Sequence, residues 1–93
     1  GKRSAEDQID LILDLIDELE DDGVLTRKQA KWLRHKPQQA LKQLAKGHDT
    51  PAINQMRNFI KRVEQLVRRG VLTPAEGDAL IEAANNVIAC LSE

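Results

Sequence analysis

The sequence is poor in the residues that mark several classes of protein. It has one cysteine, Cys90, so no internal disulfide can form. Only two aromatic residues, Trp32 and Phe59, are present, which leaves the core to Leu, Ile, Val and Ala. Five glycines and three prolines are too few for a disordered chain of 93 residues. No apolar run approaches the roughly 18 residues that a membrane span needs. The composition therefore predicts one small domain over residues 1–93, without a membrane span.

The tetrapeptide GVLT occurs twice, at residues 23–26 and 70–73, which is a spacing of 47 positions. Each copy lies between two stretches whose apolar residues recur every three or four positions, the pattern of a helix with one apolar face. The glycine of each copy is predicted to end one helix, and the threonine to cap the next. The same shift of 47 also aligns apolar positions beyond the tetrapeptide. The sequence therefore predicts two repeated αα-hairpins, at about residues 5–46 and 51–92.

The predicted fold class is all-α, an antiparallel four-helix bundle. Its helices are predicted by the apolar periodicity at about residues 5–22, 27–46, 51–69 and 74–91. In the linker between the hairpins, Asp49 or Thr50 is expected to cap the third helix, with Pro51 at its first position. Pro37 falls within the second helix, where a proline removes one hydrogen bond and costs about 3 kcal/mol. We therefore expect a kink or short break near residues 35–36, with segments of about 27–35 and 37–46.

The net charge of −1 hides an uneven distribution of charge along the chain. Residues 1–25 hold nine acids and two bases, whereas residues 26–48 hold seven bases and no acid. Residues 49–70 hold five bases and two acids, and residues 71–93 hold four acids and no base. Each predicted hairpin therefore pairs an acidic helix with a basic one, which allows ion pairs between neighbouring helices. Exposed pairs of this kind contribute about 0–1 kcal/mol each.

Trp32 is the first candidate for a binding residue. At 100° per residue it lies more than about 100° from the centre of the apolar side of the second helix, so we expect it to be partly exposed. The candidate site combines it with neighbouring basic residues: Trp32, Lys28, Lys31 and His35. Long basic side chains could merely cover the flank of the tryptophan. Alternatively, the tryptophan could contact another domain or a glycan.

No catalytic site and no metal site is predicted, and no cofactor is expected. Four aspartates form one stripe of the first helix, but calcium chelation normally needs oxygens that converge from a loop; they are Asp10, Asp14, Asp17 and Asp21. The two histidines lack the companion ligands of a zinc site. No combination of nucleophile and base is recognisable either.

Three stretches carry a resemblance to a known family: GVLTRKQAKWL, AINQMRNFIKRVEQLVRRGVLT and GDALIEAANNVIACL. Together they resemble the FIMAH domain, a small helical module of modular extracellular proteins from bacteria and some archaea. The similarity covers about residues 9–91. Pro37 departs from the pattern, because such modules usually have an apolar helical residue there. The resemblance implies a non-catalytic accessory module and brings neither an established ligand nor catalytic residues.

The leading hypothesis is therefore an accessory module that mediates attachment or contact between domains. It would belong to a larger bacterial or archaeal chain, outside the cell or at its surface. The expected partner is a neighbouring domain of the parent protein, another surface protein or a cell-wall glycan, and the chain is expected to be a monomer. The alternative is a helical module that binds nucleic acid through its basic second and third helices. We do not favour nucleic acid, because the net charge is −1 and no motif of that kind is present.

Overall fold

Residues 2–92 fold into four helices joined by short turns. The computed structural model describes the backbone of residues 2–92 and the side chains of residues 4–92, so Gly1 and Glu93 of the predicted domain lie outside the described residues. The helices are α1 (Lys2–Asp21), α2 (Arg27–Ala45), α3 (Asp49–Arg68) and α4 (Pro74–Ser92). The predicted all-α four-helix bundle is confirmed. Within residues 2–92, no helix combines the length and the apolar character needed to cross a membrane.

Glycines end the first three helices, as the sequence predicts for Gly23 and Gly70. Gly23, Gly47 and Gly70 all have φ between 77° and 80°, a left-handed conformation that residues with a Cβ rarely adopt. At Gly23, the N–H of the next residue, Val24, donates to the carbonyl of Leu19 at 2.9 Å, which closes the last turn of α1. The equivalent bond after Gly70, 47 positions later, also measures 2.9 Å. The two GVLT segments therefore have matching hydrogen bonds.

Both threonines of the GVLT segments cap the following helix. The Thr26 hydroxyl accepts from the N–H of Gln29 at 3.1 Å, and the Gln29 side chain accepts from the N–H of Thr26 at 2.9 Å. Thr73 and Glu76 form the same reciprocal pair, at 3.1 and 2.8 Å. The two predicted threonine caps are thereby confirmed, each as a reciprocal capping box, and they fix where α2 and α4 begin.

Two local expectations differ from the structure. α3 begins at Asp49, so Pro51 is its third residue rather than its first, and His48 precedes the helix without a side-chain capping bond. The predicted break in α2 is absent, since the helix continues from Arg27 through Pro37 to Ala45, and a kink is not confirmed. Pro37 is fully buried. Burial of its ring in the core offsets part of the cost of the missing hydrogen bond.

The four helices form a ring in which each packs on two neighbours. α1 and α3 both pack on α2 and α4, and the core between them is apolar. Its largest fully buried side chains include Phe59, Met56 and Leu33. No polar or charged residue is buried among those that the structure describes.

This ring also arranges the charges. α1 lies beside α4, and both are acidic, while the basic helices α2 and α3 lie beside each other. Between α1 and α2, Arg34 bridges the two carboxylates of Asp17, at 2.8 Å, and Glu20. These contacts raise the pKa of Arg34, chiefly through its hydrogen bond to Glu20. An ion pair between neighbouring helices of opposite charge, as predicted, is thus present in the first hairpin.

Candidate binding surface

Trp32 lies on the side of α2 that faces α3. Its ring is half-buried and packs against the edge of the apolar core. The expected partial exposure is therefore observed. The core-facing residues of α2 lie on another face of the helix, and the fully buried ones include Leu33 and Ala40. Trp32 consequently contributes to the core at its margin and to the protein surface with the rest of its ring.

Arg62 of α3 holds the tryptophan in two ways. Its guanidinium carbon lies over the indole, 4.7 Å from the ring centroid, which is a cation–π arrangement. Its Nη1 also donates to the backbone carbonyl of Trp32 at 2.6 Å. Burial lowers the pKa of Arg62, because the charged form loses water there. The guanidinium of an arginine remains charged in proteins, so its cation–π contact with the indole persists at neutral pH. The indole and the α2 backbone are thereby tied to α3.

Two shallow grooves meet at Trp32. One has a volume of about 330 Å³ and is lined by Trp32, Arg62 and three exposed side chains, namely Lys28, Lys31 and His35. The other lies towards the GVLT end of the bundle, and its lining includes Trp32, Lys28, Gln65 and Arg69. Among residues 4–92, whose side chains the structure describes, no carboxylate lines either groove. The surface therefore offers an aromatic ring and several cationic donors to a partner with anionic or polar groups.

All four residues predicted for the site line the same groove. We use the name Trp32 surface for these residues together with Arg62: Lys28, Lys31, Trp32, His35 and Arg62. Sequence reasoning did not assign Arg62 to the site. The sequence does contain a signal that pairs Arg62 with Trp32. The helices α2 and α3 are antiparallel, and Trp32 and Arg62 are equally distant in sequence from Gly47, which lies at the turn between these helices. Residues placed symmetrically about such a turn lie opposite each other in the hairpin.

The aspartate stripe of α1 does not gather metal ligands. Among the described residues, no three His, Cys, Asp or Glu side chains come close enough together to hold a metal ion. Asp17, one member of the stripe, instead binds the guanidinium of Arg34.

The geometry defines a small all-α domain with a cationic, tryptophan-centred surface. The family model of the FIMAH domain matches residues 9–89. The chain therefore belongs to the FIMAH domain family, as the motifs of the sequence indicate. FIMAH domains are small helical accessory domains within larger proteins, and the family is not a known enzyme family. No curated protein and no solved structure matches the chain.

Proposed function

We propose that the chain is a non-catalytic accessory module of a secreted or cell-surface multidomain protein. It mediates attachment, or contact with a neighbouring domain, through the Trp32 surface. The observation that supports this most directly is the cationic groove around a half-buried tryptophan that is held by Arg62. Membership of the FIMAH family supports the accessory role.

The residue types of this surface suit protein contact. Tryptophan and arginine are enriched among the residues whose truncation weakens binding most. Trp32 is also restrained before any partner arrives, because Arg62 stacks on its ring and binds its backbone. A restrained side chain loses less conformational entropy on binding than a free one. The partner should present acidic groups, whether on a neighbouring domain, on another surface protein or on an anionic cell-wall glycan.

The test measures binding between this domain and the neighbouring domains of its parent protein, supplied in trans. Trp32→Ala should weaken binding at least about thirtyfold, since truncating an aromatic anchor of an interface costs about 2 kcal/mol or more. The same substitution should lower the free energy of unfolding by only about 1.5 kcal/mol, less than the roughly 3–5 kcal/mol expected for a fully buried aromatic.

Two double variants with matched changes in charge test the contribution of the lysines of the Trp32 surface to binding. Lys28→Ala combined with Lys31→Ala removes two cations of the Trp32 surface and should weaken binding. Lys42→Ala combined with Lys46→Ala removes two exposed cations, one in the last turn of α2 and one directly after it, that line neither groove, and should leave binding unchanged. If both double variants weaken binding equally, general electrostatic attraction explains it and the Trp32 surface is not the contact.

One observation favours the alternative, nucleic-acid binding. α2 packs against α3, so the two basic helices form one side of the bundle. Binding of this kind falls steeply with salt, because phosphate contacts release counterions. Titration with single-stranded and duplex DNA at about 50 and 200 mM salt separates the hypotheses. Tight binding at the lower salt that is lost at the higher would support the alternative over the accessory role.

A further inference from the structure

A second cleft lies on the opposite side of the bundle, between α1 and α4 near the GVLT turns. Its apolar lining consists of Leu15, Leu19, Ala79 and Leu80. Three carboxylates line the same cleft: Glu18, Asp22 and Glu76. We call these seven residues the acidic cleft. One oxygen of Glu76 accepts the capping bond from the Thr73 N–H, whereas Glu18 and Asp22 are exposed.

The acidic cleft corresponds in sequence to the surroundings of Trp32. A shift of 47 positions takes Ala79 to Trp32 and Leu15 to Arg62. In the α2–α3 half, the position of Ala79 therefore holds an indole, and the position of Leu15 holds the guanidinium stacked on it. In the α1–α4 half, the alanine is exposed and small, and no such ring fills the cleft from within the chain.

The size of the open space matches one large side chain. The acidic cleft has a volume of about 150 Å³. A cavity of about this volume accommodates a benzene molecule, so a single aromatic side chain is the appropriate occupant. Leu11 lies one turn before Leu15 on the same side of α1 and is 46% exposed, the largest exposure among the large hydrophobic residues described. It extends the apolar area beyond the cleft.

The charged residues around the acidic cleft indicate which charge the partner should carry next to its aromatic ring. A shift of 47 positions takes Asp22 of the acidic cleft to Arg69 on the α2–α3 side. The same shift takes Glu18 to Gln65. Farther along α4, Asp78 and Glu82 likewise take the places of Lys31 and His35. The two sides therefore have corresponding positions but opposite charge, and a cation is attracted to the α1–α4 side.

We infer that the acidic cleft is a docking site for a protein segment with an aromatic side chain next to arginine or lysine. The aromatic ring occupies the space that Trp32 fills in the other half, and the cation lies among Glu18, Asp22 and Glu76. This inference deepens the proposed contact function and rests on it, but it assigns a second surface with a partner of opposite charge.

The test uses the 93-residue chain, labelled with ¹⁵N, and the blocked dipeptide acetyl-Trp-Arg-amide. Addition of the dipeptide should shift the amide resonances of Leu15, Leu19 and Ala79 in a saturable way, with a Kd of about 1–10 mM for so small a ligand. Acetyl-Trp-Glu-amide and acetyl-Ala-Arg-amide should each bind at least about fivefold more weakly, because the first lacks the cation and the second lacks the ring.

Ala79→Trp should abolish this binding, since the new side chain fills the cleft as Trp32 fills its counterpart. Ala89→Trp is the matched control, because Ala89 is also an exposed alanine of α4 but does not line the cleft. The combination of Glu18→Gln with Asp22→Asn leaves the apolar lining intact and neutralises two of the three carboxylates, so it should reduce the preference for Trp-Arg over Trp-Glu. This second variant tests the inference even if Ala79→Trp fails to fold.

Several outcomes would overturn the inference. They are the absence of shifts at Leu15, Leu19 and Ala79 in 10 mM dipeptide, equal binding of Trp-Arg and Trp-Glu, and shifts centred on the Trp32 surface. Self-association that Ala79→Trp abolishes would show that a second copy of the chain is the occupant instead. The proposed function is tested separately through Lys28 and Lys31, so a failed cleft with an intact Trp32 contact refutes only the inference.

Discussion

Gly77 of α4 allows a close approach between α4 and α3, and replacing it with alanine should destabilise the bundle. Gly77 is buried, and a Cβ added there would lie 2.4 Å from Cγ2 of Val67. Carbon atoms in favourable contact are about 3.5–4.0 Å apart, so the new methyl group would be more than about 1 Å too close. Either Val67 or one of the two helices must then move.

Two effects of opposite sign set the size of the change. Alanine is favoured over glycine within a helix by about 0.8–1.0 kcal/mol. Overpacking a core typically costs about 1–3 kcal/mol, and Val67 cannot easily turn away, since a β-branched side chain in a helix has one strongly preferred rotamer. We therefore expect the cost of overpacking at Gly77 to lie in the upper part of the range of about 1–3 kcal/mol. Gly77→Ala should lower the free energy of unfolding by about 1–2 kcal/mol.

The first hairpin shows how the same position accepts a larger residue. The residue 47 positions before Gly77 is Ala30, and the residue 47 positions before Val67 is Glu20. Glutamate is unbranched at Cβ, so the first hairpin has no β-branched side chain at the position that corresponds in sequence to Val67.

Urea unfolding followed by circular dichroism measures the effect, and the midpoint should fall by roughly 1 M. The control is a double-mutant cycle with Val67→Ala, which removes the obstructing Cγ2 atom. In that background Gly77→Ala should raise stability by up to about 1 kcal/mol, as helix propensity alone predicts. If Gly77→Ala stabilises the protein when Val67 is present, then Val67 or the helices α3 and α4 shift at little cost, and this reasoning is wrong.

Two further predictions concern the caps and metal ions. Thr26→Ala and Thr73→Ala should each lower the free energy of unfolding by about 1 kcal/mol, because each removes the acceptor of one capping bond. A difference above about 1 kcal/mol between the two variants would contradict the equivalence of the two turns. The melting temperature should be the same in millimolar calcium and in chelator, because Asp17 is engaged by Arg34 and no three ligands converge among the described residues. A rise of several degrees in calcium would instead reveal a site that binds only the folded state.

The sequence by itself determined the local features of the fold. Gly23 and Gly70 end α1 and α3, and Thr26 and Thr73 cap α2 and α4, through hydrogen bonds between residues only a few positions apart. Such signals act within one or two turns of chain and can be recognised without knowing the fold. The helical periodicity likewise predicted the partial exposure of Trp32. The start of α3 was less well defined, because the first N–H groups of a helix have no partner within it, so Pro51 is tolerated at the third position as well as the first.

Only the tertiary structure decided how distant residues combine. Pro37 is an unfavourable residue for a helix interior, yet α2 continues through it, because its ring is buried by packing that local propensity does not describe. The ring of helices places α2 beside α3, which brings Arg62 over Trp32. The same ring places α1 beside α4 and forms the acidic cleft. These contacts depend on which helix faces are neighbours in space, and the order of charges along the chain is compatible with more than one such arrangement.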